Sequence, residues 1–133
     1  MSAERAIYVD SSALVKLAIR EPESAGLPRY LRRRRLLVSS ALARTEVVRA
    51  LLPLGSEAVR LGREVLARVD LLRVNDRVLD AAAMLAPADL RSLDAIHLAS
   101  ALQLGTDLRG FVTYDERLAS AASGRGLRVI QPA

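Results

Sequence analysis

The strongest constraint on this chain is a series of short apolar runs, each followed by a stretch patterned like a helix. Ala6–Val9 and Leu36–Val38 carry no polar position, and Leu71–Val74, Phe111–Thr113 and Leu127–Ile130 come close. Runs this short are strands rather than helices, and a strand without polar alternation must be covered on both faces. Strands of this kind alternating with helices imply a parallel sheet with helices on either side, because parallel neighbours need long crossover connections.

The intervening segments supply those helices. Ser11 and Ser12 are placed to cap a helix from Ala13 to about Arg20. Pro22 suits the first turn of a second helix reaching about Arg35, with a break or kink expected at Pro28. Ser39-Ser40 closes the second strand, and Ser40 can cap a helix from Ala41 to Leu52. Pro53–Ser56 is a turn cluster before a helix from Glu57 to Val69, and Asn75 can cap another from Asp76 to Ala86. Ser92 is the expected cap of a helix from Leu93 to Leu104 that is apolar nearly all round, hence buried and central, with Gly105 as its C-cap. A last helix spans Asp115 to Ser123.

A chain of 133 residues, 51% hydrophobic and 26% charged, is expected to form one globular domain, residues 1–133. With no cysteine and a single histidine, a metal site would have to be built mainly from carboxylates. The longest uncharged stretch is the twelve residues Ala95–Thr106, too short for a membrane span, and the N-terminus lacks the pattern of a signal peptide, so a cytoplasmic location is expected. The net charge of +5 is local: residues 20–68 carry eleven bases against five acids. All the bases except Lys16 are arginine, whose fork matches phosphate oxygens, so the basic first half suits a polyanion or an acidic protein. A solvated helix face accounts for it equally well.

Ligand sites in open parallel sheets lie beyond the carboxyl ends of the strands, which makes the acids there informative. Asp10 follows the first strand and Asp115 lies just after Phe111–Thr113; Asp94 falls in the first turn of the buried helix and Glu46 within another. Each has a structural explanation as a cap, a dipole partner or a surface ion pair. A cluster of several would repel itself unless a cation held it, and oxygen-only ligands suit Mg²⁺ or Mn²⁺, ions that serve phosphoryl chemistry.

IYVDSSALVKL, the glutamate of SSALARTEVVRAL, LDAIHLASAL and FVTYDERLA resemble, in this order, the PIN domain, and within it the VapC toxins of bacterial type II toxin–antitoxin pairs. The resemblance runs from Ile7 to Ile130 and implies a three-layer α/β/α sandwich around a central parallel sheet. It also implies an Mg²⁺- or Mn²⁺-dependent endoribonuclease, with Asp10, Glu46, Asp94 and Asp115 at the four acidic positions of the family. Ser11 matches a small hydroxyl residue beside the first acid, and Thr113 the polar residue two before the last, and both are expected beside the substrate. Among the acids, Glu46 is the one most open to holding metal through water. The implied partners are RNA, a VapB-like antitoxin whose C-terminal tail blocks the site, and a second copy in a homodimer. Attack by a metal-activated water would leave a 5′-phosphate and a 3′-hydroxyl.

Beyond the resemblance, the arginines of residues 29–35, with Arg44 and Arg49, are candidates to lie along an RNA backbone. Leu14, Leu17 and Leu27–Leu31 could line an apolar groove for an antitoxin helix or belong to the core. His97, about one turn after Asp94, reads as a hydrogen-bonded core histidine, and Tyr114 as a residue that packs or stacks on a base. A phosphoryl-accepting receiver domain would need a lysine after a late strand, and the only lysine is Lys16. An RNA-processing nuclease of the same fold and a catalytically silent binding module remain open at this level.

Overall fold

The computed structural model describes residues 5–19, 25–32 and 36–133. Five strands, β1 Ala6–Val9, β2 Leu37–Ser40, β3 Asp70–Leu72, β4 Leu108–Val112 and β5 Val129–Ile130, form one parallel sheet in the order β3-β2-β1-β4-β5. The helices are α1 Ser11–Ala18, α2 Gly26–Leu31, α3 Ala43–Leu51, α4 Ser56–Ala67, α5 Asp76–Ala83, α6 Ser92–Leu102 and α7 Glu116–Gly124.

The two-residue period of a strand explains the layers. In β1, Ile7 and Val9 enter a core shared with α1, α2, α3 and α4, while Ala6 and Tyr8 enter another beneath α6 and α7. All four side chains are buried, as the absence of polar alternation requires. Helix α5 packs on α6 through Val78, Ala82, Ala95 and Ala99, so α6 is sandwiched and buried along most of its length. Leu14, Leu27 and Leu31 belong to the core and line no open groove.

Several local expectations are corrected. Asp10, not Ser11 or Ser12, caps α1. Helix α2 is short, and Pro28 lies in its first turn, where a missing N–H breaks no helical bond, so no kink follows; the outer parts of the expected Pro22–Arg35 helix fall outside the described residues. Ser39 and Ser40 extend β2 rather than closing it, because they pair with Leu71 and Leu72 of β3. The Ser40 hydroxyl does accept the Leu42 N–H, at 3.1 Å, but α3 begins only at Ala43. Helices α4 and α5 stop short of Val69 and Ala86, β3 short of Val74, and β5 keeps only the last two residues of its apolar run. Strand β4 begins at Leu108 and ends before Thr113. Ser92 is the first residue of α6; Arg91 holds the cap position with extended backbone and makes no side-chain cap bond. Gly105 is not the C-cap of α6, which is Gln103; with φ near +53° it opens a 3₁₀ turn instead.

No described helix is long and apolar enough to cross a membrane. The chain leaves β1 toward β2 on one side while β4 flanks β1 on the other, so a crevice opens beyond the carboxyl ends of β1 and β4.

Candidate active site

Asp10 sits in this crevice. Its N–H donates to the Val112 carbonyl at 3.1 Å, so β1 and β4 are still joined where the acid leaves the sheet. Oδ1 accepts from the Ala13 N–H at 2.9 Å and the Ser12 hydroxyl at 2.8 Å, and Oδ2 from the Thr113 hydroxyl at 2.5 Å. Asp10 as a whole is 3% exposed. Burial pushes its pKa above the ordinary aspartate value, against the hydrogen bonds of Thr113, Ala13 and Ser12 and the pull of His97.

Asp115 repeats the arrangement one strand over. Its Oδ1 caps α7 by accepting the Leu118 N–H at 3.0 Å, and its own N–H donates to Thr113 Oγ1 at 3.1 Å. Thr113, fully buried, therefore ties the acid after β1 to the acid after β4. The free fork of Asp115 faces Arg91, whose guanidinium donates to Asp115 Oδ2 at 3.0 Å and to Asp94 Oδ2 at 2.9 Å. Asp94 stands in the first turn of α6.

Glu46 projects from α3 onto Ser11 and His97. Its Oε1 accepts from the Ser11 hydroxyl at 2.8 Å and from His97 Nε2 at 2.7 Å. The other ring nitrogen of His97 is 2.7 Å from the Tyr8 hydroxyl, and the Tyr8 ring stacks on Phe111 with centroids 5.1 Å apart. Burial raises the pKa of the Tyr8 phenol and keeps it neutral, and Tyr8 and Glu46 hold one ring nitrogen of His97 each. Burial pushes Glu46 upward, but the hydrogen bond and charge of His97 and the Ser11 hydroxyl outweigh it. The Glu46 carboxyl ends below the ordinary glutamate value.

The four acids thus belong to one bonded circuit. It runs from Asp94 through Arg91 to Asp115, through Thr113 to Asp10, through the adjacent Ser11 to Glu46, and through His97 back along α6 to Asp94. Ser11 and Thr113, expected beside the substrate, have their hydroxyls engaged with the acids. The donor set is all carboxylate oxygen, which suits a hard divalent cation, and Asp94 and Asp115 already share a cationic group in Arg91. Among the described residues no three acidic or imidazole groups close round a single point as they stand.

Arg44 and Arg49 are exposed on α3, the helix of Glu46. They line a cleft of about 580 Å³ with Arg63 and Leu66 of α4 and Leu71 of β3. Tyr114 is held at its hydroxyl, which donates to the Pro132 carbonyl at 2.5 Å, and Lys16 Nζ lies 4.9 Å from the centre of its ring. Four members of the circuit or its support were not singled out for the site by sequence: Arg91, Ser12, Tyr8 and His97. Arg91 and His97 do carry a signal, each standing three residues from Asp94. Tyr8 and Ser12 carry none.

The sequence matches the PIN domain family over residues 7–124. The chain belongs to the PIN-domain family. Among its PIN-domain relatives, Ribonuclease VapC46 of Mycobacterium tuberculosis is 61% identical over 127 residues, covering 96% of this chain and 98% of that protein. Ribonuclease VapC47 of the same species is 39% identical over 131 residues, covering 95% and 96%. Of the solved structures, Mycobacterium tuberculosis VapC20, described as a sarcin-ricin loop cleaving toxin, matches with a TM-score of 0.75 at 16% identity, covering 95% of this chain and 99% of that one. VapBC2 from Rickettsia felis, bound to a DNA fragment from its promoter, matches at 0.66 and 12% identity, covering 96% and 99%. At these identities the solved structures speak for the PIN fold, and they agree with the five-stranded parallel sheet. PIN-domain ribonucleases are in general dependent on a divalent metal.

Proposed function

We propose that this chain is an Mg²⁺- or Mn²⁺-dependent endoribonuclease, one PIN-type domain acting as the toxin of a VapBC-type pair in the cytoplasm. The observation that carries the proposal is the circuit joining Asp10, Glu46, Asp94 and Asp115 in the crevice beyond β1 and β4. The identity to Ribonuclease VapC46 over nearly the whole of both chains supports it.

In this reading Asp10, Asp94 and Asp115 hold the metal, with Glu46 contributing directly or through water. When bound, the ion activates water and stabilises the leaving oxygen of a phosphodiester. The residues of the chain prepare that event. Asp10 and Asp115 each use one oxygen to cap a helix, which fixes the carboxylate, while the second oxygen accepts from Thr113 in Asp10 and from Arg91 in Asp115. Thr113 sets the spacing between these two acids. His97 and Ser11 aim Glu46 and favour its ionised form, the form that can hold a cation directly or through water. Arg44 and Arg49, exposed on α3 beside a cleft toward α4 and β3, are the arginines offered to the RNA backbone.

The partners proposed are RNA, a VapB-like antitoxin and a second copy of the chain. The test is induction of the chain in a bacterial host from a tightly controlled promoter. Growth arrest that is lost with Asp94→Asn, and relieved by co-expression of the antitoxin, is the expected result. Normal growth at high levels of folded protein would overturn the toxin reading and favour a nuclease of RNA processing.

A further inference from the structure

Two basic side chains take part in the acid circuit, and they differ in one respect. His97 is 2% exposed and locked between Tyr8 and Glu46. Arg91 reaches in from solvent with a side chain 67% exposed. Its Nε and one terminal nitrogen bond two different carboxylates, Asp94 on α6 and Asp115 after β4, which lie 21 residues apart in the chain. An ordinary i,i+3 pair would join Arg91 to Asp94 alone. Here a single guanidinium spans two elements. We propose that Arg91 is a tethered placeholder: it holds Asp94 and Asp115 together in the metal-free chain, and a divalent ion displaces it on binding. The inference rests on the metal reading above.

The energetics run the right way. Without a cation, two carboxylates drawn toward one crevice repel each other, and Arg91 relieves that repulsion. Being exposed, its ion pairs are weak and screened, so a doubly charged ion with oxygen-only ligands can replace them. Its departure uncovers no core, since Arg91 lies at the start of α6 and outside the apolar clusters. Arg91 is therefore a positioning residue, and its removal has opposite consequences for the empty and the loaded site. The metal-free chain loses a brace, while the ion loses a competitor.

The experiment is calorimetric titration of the full chain with Mn²⁺ alone, for wild type, Arg91→Gln and Arg91→Lys, with the melting temperature measured first in EDTA. Arg91→Gln is expected to melt lower in EDTA and yet to bind Mn²⁺ about threefold or more tightly, with Arg91→Lys between. In parallel, the Arg91 Nε–H resonance, assigned by its loss in Arg91→Lys, is expected to move on saturation with Mg²⁺. A role confined to stability would lower the melting temperature without tightening Mn²⁺ binding, and that result overturns the inference. Weaker binding in Arg91→Gln overturns it as well, by making Arg91 an aid to the ion. Failure of every chain to bind Mn²⁺ overturns the metal reading itself, and this inference with it. If Arg91→Gln does not fold, Arg91→Lys decides by the same comparison.

Discussion

Substituting Asp10 by asparagine should make the metal-free protein more stable. Asp10 is buried, and its pKa is raised by desolvation despite three hydrogen bonds. A carboxyl whose pKa is higher in the folded than in the unfolded chain binds protons more readily when folded. Its ionisation therefore lowers stability as pH rises above the unfolded value of 3.8. Asparagine keeps the oxygen that accepts from Ala13 and Ser12, and its amide can donate to Thr113 where the carboxylate accepted. The charge is removed while the α1 cap stays. The gain at neutral pH is on the order of 1–2 kcal/mol, or roughly 3–8 °C in melting temperature for a domain of this size. Melting in EDTA between pH 4 and 8 measures it, with the difference narrowing toward acid as wild-type Asp10 becomes protonated. Saturating Mg²⁺ should reverse the order, because only wild type gains binding energy, about 2.7 kcal/mol at a hundredfold excess over Kd. Asp10→Asn less stable than wild type in EDTA at neutral pH would refute the reasoning.

Substitutions at three further positions probe the rest of the circuit. Thr113→Val keeps the shape of a buried side chain but strips a donor from Asp10 and an acceptor from the Asp115 N–H; urea unfolding should show a loss of about 1–3 kcal/mol, largely restored by Thr113→Ser. His97→Ala removes the donor to Glu46 and the partner of Tyr8 and leaves a void, at a cost on the order of 3 kcal/mol. The depressed Glu46 pKa means that its stabilising contribution is complete above about pH 4.5 and fades as pH falls through the lower folded value. That part of the acid-denaturation curve should flatten in His97→Ala. Asp115→Asn should retain the α7 cap, whereas Asp115→Ala should lose about 1 kcal/mol more in thermal or urea unfolding, with both inactive in RNA cleavage.

The parts of this molecule legible in the sequence are those fixed by short-range pattern. β1 shows itself because all four of its residues are apolar, and the fold buries them on both faces. The acids after β1 and β4 could be placed because sites of parallel sheets gather at carboxyl ends, and α6 because it is apolar nearly all round. Element ends were harder. Ser39 and Ser40 look like a turn, yet β3 pairs with them and draws them into the sheet. Ser11 and Ser12 look like caps, yet Asp10 has the better acceptor one step earlier and takes the role. What pattern could not supply was contact between distant residues. Tyr8 meets His97 across 89 positions, and Thr113 meets Asp10 across 103. His97 does read as a hydrogen-bonded core residue, and it is one, but its second bond, to Glu46, makes it part of the site as well.

The central claim is that the four acids serve a metal-dependent cleavage of RNA. Its most direct test is incubation of purified, antitoxin-free protein with total RNA in Mg²⁺ or Mn²⁺ and in EDTA, with Asp94→Asn purified in parallel. The account requires discrete fragments bearing 5′-phosphates that form only with metal and are absent with Asp94→Asn. Cleavage of equal extent by Asp94→Asn, or cleavage that persists in EDTA, would contradict it.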